Sequence, residues 1–286
     1  MANLQDIRRR ISTVSNTQKI TSAMRMVSAA KLRRAQSAIE SARPYAQRMR
    51  STLEEVAAGP EVEHPLLEER EAVKKIEVLV VTSDRGLAGA FNNNVLKRAD
   101  ALMAERATGS AEISLTLVGK KAGDYYRRRR EGQIRDAEPV GTVSYAKAAE
   151  IADRLARLFE QGEVDEVQLV YSEFVSTMNQ SPRAVRLLPF SADVAETGEA
   201  ASPHSIEPSA ERLLGTLVPK AIEVEVFRAL LENQAGEHAA RMAAMEAATR
   251  NTEELIERLT LEYNRARQAA ITKELVEIVT GAQALE

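Results

Sequence analysis

A glycine-containing turn after a strand-like segment is the feature of this chain most typical of chemistry. Residues 83–93 read SDRGLAGAFNN, between an apolar run and a helical pattern. In nucleotide-binding proteins, a turn in this position directs backbone N–H groups at phosphate oxygens. Gly86 and Gly89, however, fit neither G-x-G-x-x-G nor G-x-x-x-x-G-K-[ST], and no lysine follows at the expected place. The spacing favours a tight structural turn, with a nucleotide site as the open alternative.

The chain contains few of the residues from which other kinds of catalytic site are built. The chain has no cysteine, which excludes disulfides, thiolate catalysis and cysteine-ligated metals. Its three histidines, His64, His204 and His238, are far apart in sequence. No Ser–His–Asp or paired-carboxylate spacing stands out, and a net charge of −3 provides no global basic field for nucleic acid. We therefore expect no catalytic residue, no cofactor and no metal site.

Charge is distributed unevenly along the chain. Residues 1–50 hold eleven Lys or Arg against Asp6 and Glu40, whereas residues 222–262 hold nine acidic and four basic side chains. Such runs are most often solvated helix faces. The alternative is that the basic face contacts acidic loops of a partner, or partners that are associated with a membrane. Exposed ion pairs contribute only about 0–1 kcal/mol each, so opposite charges on the two segments would set their orientation more than their stability.

The placement of glycine and proline divides the chain into three parts, and these parts position the residues described above. Residues 1–58 contain no glycine and one proline, Pro44, and no proline follows Pro219. The middle holds most of both residue types, as loops require. The predicted domains are an N-terminal coiled-coil helix over 1–58, a central α/β domain over 59–208, and a C-terminal coiled-coil helix over 209–286 that pairs with the first.

Both terminal segments carry apolar residues at helical spacing. The N-terminal stripe comprises Leu4, Ile7, Ile11, Val14, Ile20, Met24, Val27, Leu32, Ala35, Ile39, Ala42, Met49, Leu53 and Val56. This length predicts a coiled-coil arm, kinked at Pro44, and the stripe drifts too much for a strict seven-residue repeat. In the C-terminal segment Ala235, Ala239, Ala243 and Ala247 step by four, which predicts a ridge of small residues that a neighbouring helix can approach closely.

The central part alternates strand and helix patterns. The predicted strands cover 76–83, 113–119, 167–176 and 183–190, and the predicted helices begin near residues 94, 120 and 144. Continuous apolar, β-branched runs such as IEVLVVTS are typical of strands buried on both faces. The alternation predicts a small, largely parallel sheet with covering helices.

The C-terminal segment 263–281 reads YNRARQAAITKELVEIVTG and mixes polar with apolar residues. A solvated helix end is the default interpretation. If this end extends past the shorter N-terminal helix, however, its apolar face needs a partner's surface. The N-terminus, MANLQDIRRR, lacks the apolar core of a signal peptide, and no apolar run approaches the ~20 residues that span a membrane. We therefore expect a protein that is at most peripheral to a membrane.

Five segments, in order along the chain, resemble the gamma-subunit family of the rotary F-type ATP synthases, in its bacterial form. They are NTQKITSAMRMVSAAKLRRAQ (16–36), SDRGLAGAFNNN (83–94), IEPSAERLL (206–214), EHAARMAAMEAATRN (237–251) and YNRARQAAITKELVEIVTG (263–281). The likeness runs from about residue 3 to the end without large insertions.

The resemblance implies an α/β fold with a long antiparallel coiled coil of N- and C-terminal helices and a central Rossmann-like domain. It implies a non-catalytic rotor shaft inside a hexamer of alpha and beta subunits, with a foot beside the epsilon subunit and the ring of c subunits. The expected location is the cytoplasmic face of the cell membrane, held there through the complex alone. No cofactor or nucleic acid is implied.

The resemblance also implies contact residues, carried over by motif position. Met24 and Arg25 match the place where the shaft meets a beta-subunit loop, and Glu207 matches the foot near epsilon and the c ring. Polar contacts between the C-terminal helix and the hexamer are matched by Arg267, Gln268, Thr272, Glu274 and Glu277.

The chain departs from many relatives at Ala88, where they carry cysteine, and it lacks the cysteine-bearing insertion of chloroplast relatives. The resemblance therefore implies no thiol control. Two rival functions stay open at the level of sequence: a nucleotide-dependent enzyme built on the central domain, and a coiled-coil scaffold that does not rotate.

Overall fold

The computed structural model describes residues 4–57, 64–107, 111–190 and 210–283. Packing divides the chain into two compact units. We name them the coil unit, which is Met1–Ser28 with Arg241–Glu286, and the sheet unit, which is Ala29–Ala240. The division falls inside the two longest helices, α1 (Leu4–Ala57) and α5 (Ala210–Gln283). The three-part division of the sequence stays a prediction, because its boundaries lie outside the described residues.

The sheet unit holds a five-stranded sheet between helices. The strands are β1 (Lys75–Val81), β2 (Glu112–Val118), β3 (Ile134–Glu138), β4 (Glu166–Phe174) and β5 (Gln180–Leu188), and the shorter α-helices are α2 (Phe91–Ala107), α3 (Lys120–Tyr126) and α4 (Tyr145–Glu160). The strand order is β3-β2-β1-β4-β5. All neighbours are parallel except β4 and β5, which are antiparallel. The predicted α/β class with a Rossmann-like sheet is confirmed.

Both faces of this sheet are covered, which explains the continuous apolar runs of its central strands. On one face Val78 and Val80 pack with α2 residues such as Val95. On the other face Leu79 and Val81 pack with a cluster from α4, α1 and α5. Strand β3 was not predicted, because its sequence IRDAE alternates half-buried with exposed positions at the edge of the sheet.

One residue of the apolar run in β1 is a charged exception. Glu77 is fully buried. Its carboxylate accepts hydrogen bonds from the hydroxyl groups of Ser114 and Thr116, the latter at 2.6 Å, and from the Nε of Arg135 at 3.2 Å. A buried charge is tolerated only when it is paired and hydrogen-bonded in this way. The partners come from β2 and β3, so the network joins three adjacent strands.

In the coil unit α1 and α5 run antiparallel. The side-chain amide of Gln18 donates to Glu253 at 3.1 Å, and the hydroxyl groups of Thr21 and Thr249 are 2.9 Å apart. Moving forward along α1 therefore moves backward along α5. This arrangement confirms the predicted antiparallel coiled coil of N- and C-terminal helices.

The stripe that packs in the coil unit differs from the apolar stripe of the sequence. The buried and half-buried positions of α1 alternate steps of four and three and include Ile7, Ile11, Val14, Gln18, Thr21 and Ser28. On α5 they include Met245, Thr249, Thr252, Ile256, Leu259, Tyr263 and Ala266. The packed positions thus keep a seven-residue repeat. The predicted drift was wrong because polar Gln18, Thr21 and Ser28 occupy part of the packed face.

Two further expectations for the long helices meet different outcomes. Ala235 and Ala239 are fully buried, but Ala243 and Ala247 are exposed. A step of four residues overshoots one helical turn, so a ridge of that period rotates away from any fixed neighbour, and the predicted four-alanine contact ridge is wrong beyond its first half. Helix α1 continues through Pro44, and the kink stays a prediction.

Candidate partner-binding surface

The carboxylate of Asp84, in the turn after β1, links this turn to the loops that follow β2 and β3. Asp84 accepts backbone N–H groups from Lys120 at 3.0 Å, Val140 at 3.0 Å and Gly141 at 2.9 Å. Burial alone would raise the pKa of Asp84, but these three hydrogen bonds bring the pKa below its ordinary value. The three backbone amides that converge at this end of the sheet are therefore hydrogen-bonded to an anion of the chain itself, the carboxylate of Asp84.

The rest of the turn is built as a rigid structural link. Leu87 and Gly89 both adopt left-handed backbone conformations, with φ of 62° and 57°. Asn92, at the start of α2, accepts the backbone N–H of Ser83 at 2.9 Å. These contacts fold the segment tightly back onto α2, which agrees with the structural reading of the glycine pattern.

Helix α5 is anchored beside this turn within the sheet unit. The side-chain amide of Asn233, which is 2 % exposed, donates to the backbone oxygen of Thr82 at 3.1 Å. One turn later, a Cβ added to Gly236 would lie 2.9 Å from the ring of Phe91. A hydrogen bond and a close backbone approach therefore fix α5 to the carboxyl end of the sheet.

The predicted contact residues of α1 lie on the coil unit. Met24 is half-buried and Arg25 is exposed. Ile20 and Val27, which the sequence assigned with Met24 to the packed stripe, are 60 % and 56 % exposed. The assignment was wrong for Ile20 and Val27, which are mostly exposed, whereas Met24 is partly covered. The sequence pattern therefore assigned to the packed face an apolar strip that is exposed beside Arg25.

The predicted contact residues of α5 lie at its C-terminal end, and all five are exposed. They are Arg267, Gln268, Thr272, Glu274 and Glu277. Within the helix Thr272 donates to the backbone oxygen of Gln268 at 3.0 Å, and Glu277 lies 3.6 Å from the ammonium of Lys273. The polar residues therefore have only local partners among those described, and their outer atoms face solvent.

Large apolar side chains share this end of α5. Their exposed fractions are about half or more: Ile271 48 %, Leu275 58 %, Val276 58 %, Ile278 68 % and Val279 55 %. The register of the coil explains why. Two of the hydrogen bonds between the helices join residues whose numbers add up to 271 and 270, so Leu4, the first described residue of α1, lies opposite residue 266 or 267. Beyond that point no described residue of α1 covers α5.

We name residues 267–281, which are exposed except for half-buried Ala270, the tip. Met24 and Arg25 are not brought next to it. By the same register they lie opposite residues near 246, about 20 residues from Arg267, which corresponds to roughly 30 Å along the helix axis. The coil unit therefore presents two separate exposed apolar areas with charged neighbours.

Other kinds of site receive no support from the described part of the chain. Glu207 lies outside the described residues. Within residues 4–57, 64–107, 111–190 and 210–283, no group of three or more His, Cys, Asp or Glu could hold a metal ion. Nor does any helix in those ranges contain an apolar stretch long enough to cross a bilayer.

Comparison with known proteins gives a consistent result along the whole chain. A sequence model of the ATP synthase family matches residues 3–285. The ATP synthase gamma chain of Pelotomaculum thermopropionicum is 50 % identical over 289 residues, and that of an Anaeromyxobacter species is 49 % identical over 292 residues. In both comparisons all of this chain and all of the relative are covered.

Solved structures agree on the fold. A chain of the central stalk and c ring of the Tetrahymena thermophila mitochondrial ATP synthase is 26 % identical, with a TM-score of 0.61 over 80 % of this chain and 99 % of that one. A chain of the Euglena gracilis mitochondrial ATP synthase is 21 % identical, with a TM-score of 0.72 over 99 % and 94 %. Full-length identity near one half, with the same helices and sheet, shows that the chain belongs to the ATP synthase gamma chain family.

Proposed function

We propose that this chain is the central rotor shaft of an F-type ATP synthase. Its coil unit turns inside a hexamer of alpha and beta subunits, and its sheet unit serves as the foot. Rotation of the membrane c ring, driven by ions, is passed through the chain to the catalytic sites. The chain itself performs no ATP chemistry, and it meets the cytoplasmic face of the cell membrane through the complex.

The tip is the observation that carries this proposal. Exposed apolar patches of contiguous residues mark interaction surfaces in proteins that are otherwise soluble. Here the apolar face of Ile271, Leu275 and Ile278 continues the helix beyond its intramolecular partner. A surrounding ring of subunits is the kind of partner that a helix end exposed on all sides requires.

A shaft must also resist separation of its helices under load. In the coil unit Ile7, Met245 and Leu259 are at most 5 % exposed, and each fully buried apolar side chain of this size contributes about 1.5–3 kcal/mol. The hydrogen bonds of Gln18 and Thr21 form only when the two helices are aligned as observed. Together they favour one register in which torque passes from helix to helix.

Coupling further requires that the shaft present different surfaces to otherwise equivalent sites. The basic face of α1 near Arg25 and the mixed face of α5 near Arg267 differ in charge and in apolar content. A ligand or partner shifts a conformational equilibrium only through differential contact with the two states. We infer that the beta-subunit loops meet Met24 and Arg25, and that the hexamer meets Arg267, Gln268, Thr272, Glu274 and Glu277.

The rival enzyme function is disfavoured by the turn after β1. Gly86 and Gly89 fit neither phosphate-binding pattern, and Leu87, Gly89 and Asn92 hold the segment in a tight structural turn. The foot is therefore assigned to binding rather than to turnover, with the epsilon subunit and the c ring as its partners. We assign Glu207 to this foot surface on motif position alone.

Reconstitution with alpha and beta subunits tests the proposal. The expected result is one copy of this chain per hexamer and ATP-driven rotation of a bead fixed to the sheet unit. The double variant Arg267→Ala/Gln268→Ala should assemble less completely or hydrolyse ATP with less rotation per ATP. As a matched control, Arg157→Ala on the sheet unit, whose carboxylate partner is Asp153 of the same helix, should leave both unchanged.

Each rival predicts a different outcome of the same experiment. Nucleotide turnover by the purified chain alone would support an enzyme. Binding to the hexamer without any change in ATPase rate or rotation would support a static scaffold. Full rotation by the double variant would remove the assigned role of the two tip residues while leaving the shaft assignment intact.

A further inference from the structure

Methionine supplies all the side-chain sulfur of this chain. The sequence contains eight methionines and no cysteine. Peroxides oxidise the sulfur of both residue types, and for methionine the product is a sulfoxide that reductases can convert back. Reversible oxidation of sulfur on this chain is therefore a reaction of methionine.

The seven methionines within the described residues differ widely in how far solvent reaches them. Five are buried or half-buried: Met24, Met49, Met103, Met242 and Met245. Met26, on helix α1 of the coil unit, is 60 % exposed, and Met178, in the sheet unit, is 88 % exposed. Met178 is thus the most exposed of the seven.

The turn between β4 and β5 holds Met178 in place without using its side chain. The hydroxyl oxygen of Ser176 accepts the backbone N–H groups of Met178 at 3.3 Å and Asn179 at 3.1 Å. The side-chain amide of Gln180 donates to the backbone oxygen of Thr177 at 3.0 Å. These bonds join atoms other than the thioether, so a chemical change at the sulfur leaves the turn intact.

Oxidation would have a different effect in the apolar clusters of the sheet unit. Met49 belongs to the cluster on one face of the sheet, and Met103 belongs to the cluster on the other face. A sulfoxide is polar, and a buried polar group without a hydrogen bond destabilises the fold. At Met178 the added oxygen stays in water, so this methionine can be oxidised without loss of packing.

We propose that Met178 is a reversible peroxide-reactive site, at which the chain takes up one oxygen atom and keeps its fold. A lone pair of the thioether sulfur attacks one oxygen of hydrogen peroxide. An S–O bond forms as the O–O bond breaks, and the second oxygen leaves as water with both peroxide protons. The sulfur loses two electrons, and the peroxide gains them.

The reverse step needs a methionine sulfoxide reductase. Two thiols supply two electrons and two protons, the sulfoxide oxygen leaves as water, and the thiols become a disulfide. The proposal does not depend on the rotary role, since it uses only the exposure of Met178 and the contacts of its turn.

Peroxide treatment of the purified full-length chain, followed by tryptic digestion and mass spectrometry, tests the proposal. Met178 is the only methionine of the tryptic peptide 158–183, and Met103 is the only methionine of the peptide 99–106. We expect 158–183 to gain an oxygen faster than any other peptide. Its rate should exceed that of 99–106 by at least about tenfold, because a buried sulfur reacts only when the structure opens locally.

Two further measurements follow the oxidised chain. The midpoint of urea unfolding should not shift when Met178 takes up its oxygen, because no packing contact is lost. Incubation with a methionine sulfoxide reductase and a thiol should return the peptide 158–183 to its original mass.

Three variants sharpen the test. Met178→Leu keeps an apolar side chain without sulfur and should abolish oxygen uptake by 158–183. Val175→Met, at an exposed position of the same turn, should add a second reactive sulfur to that peptide. Met103→Leu, a change of similar volume in the core, is the matched control and should leave oxidation of Met178 unchanged.

The same treatment of the chain assembled with alpha and beta subunits separates this proposal from the proposed function. Met178 should react as fast as in the free chain, whereas Met26, next to the predicted contact residue Arg25, should be protected. Unprotected Met26 would count against the shaft assignment and would leave the proposal for Met178 standing.

Several results would overturn the proposal. Met178 would not be the reactive site if it were oxidised no faster than Met103, or more slowly than Met26. Protection of Met178 in the assembled complex would show that its sulfur is not accessible in the working protein. A lower urea midpoint after oxidation of Met178 would show that the fold does depend on this side chain.

Discussion

The hydroxyl groups of Thr21 and Thr249 lie 2.9 Å apart, across the two helices of the coil unit. Each hydroxyl has a single proton, so one donates across the helices while the other donates within its own helix, Thr21 to the backbone oxygen of Gln18 or Thr249 to that of Met245. Polar residues at packed positions of a coiled coil specify register at some cost in stability. A polar layer in a torque-bearing pair thus favours one alignment of the helices over alignments shifted by a turn.

Replacing these hydroxyl groups by methyl groups should show how much the polar pair contributes to the stability of the coil unit. Thr21→Val and Thr249→Val should each lower local stability by about 0.5–1.5 kcal/mol, because one hydroxyl loses its partner. The double variant should recover most of the loss, since two apolar groups then face each other. Hydrogen exchange of peptides covering residues 14–28 and 245–256 measures the effect. Strictly additive losses in the double variant would show that the two hydroxyl groups do not interact.

Two leucines of α5 should respond oppositely to the same truncation. Leu259 is 4 % exposed, whereas Leu275 is 58 % exposed. Leu259→Ala should destabilise the coil unit by about 2–5 kcal/mol through a cavity. Leu275→Ala should change its stability by no more than about 0.5 kcal/mol but reduce incorporation into the alpha–beta hexamer. Hydrogen exchange reports the first effect and hexamer pull-down the second. Normal assembly by the Leu275 variant would argue against the tip as a contact.

Gly119 should not tolerate a side chain. Its φ is 111°, and a Cβ would lie 2.6 Å from Oγ1 and 2.8 Å from the backbone carbon of Thr82. We expect Gly119→Ala to cost about 3 kcal/mol or more, from backbone strain and from the clash. The matched control is Gly123→Ala in α3, where no atom lies within 4 Å of the added Cβ. Because helix favours alanine, this control should gain about 0.5–1 kcal/mol.

Urea unfolding followed by tyrosine fluorescence measures both glycine variants. The chain has no tryptophan, and of its six tyrosines all but Tyr263 lie in the sheet unit. Equal stability of the two variants would contradict the geometry at Gly119.

Asp84 should make stability depend on pH in the acid range. Its pKa in the folded chain lies below the ordinary value of 3.8, so the folded state binds fewer protons than the unfolded state near that pH. The stability that Asp84 contributes is therefore fully present above pH 3.8 and is lost as the pH falls through the folded value.

Asp84→Asn removes this dependence. At neutral pH it should cost about 1.5–3 kcal/mol, because hydrogen bonds to a charged acceptor are replaced by weaker ones. The difference from the unmodified chain should shrink as the pH drops below about 4. Asp124→Asn, at an exposed position of α3, serves as the control. A constant difference at every pH would show that the charge of Asp84 is not involved.

Much of the fold could be predicted from local patterns. Runs such as IEVLVVTS indicate buried strands, and β1, β2, β4, α4 and the long terminal helices were found close to their observed positions. Strand β3 was missed because an edge strand with one neighbour needs few apolar residues. The buried charge of Glu77 was missed because its partners, Ser114 and Arg135, come from other strands and have no local signature.

The surface of the coil unit was predicted less well, for a related reason. Ile20 and Val27 share helical spacing with Met24, so periodicity alone placed them on the packed face, although both are mostly exposed. Which face packs is decided by the partner helix, and α5 instead receives Gln18 and Thr21. The exposed end of α5, in contrast, followed from the unequal lengths of the terminal helices together with the family resemblance.

The carboxylate of Asp84 has a consequence for how the foot behaves in a working cell. An anion that is covalently part of the chain is present at its binding groups whatever the supply of free nucleotide or phosphate. The end of the sheet against which α5 is fixed should therefore keep its shape when ATP is plentiful and when it is exhausted. A machine that makes ATP from phosphate would then carry a mechanical base whose rigidity is insensitive to the concentrations of its own reactants and product.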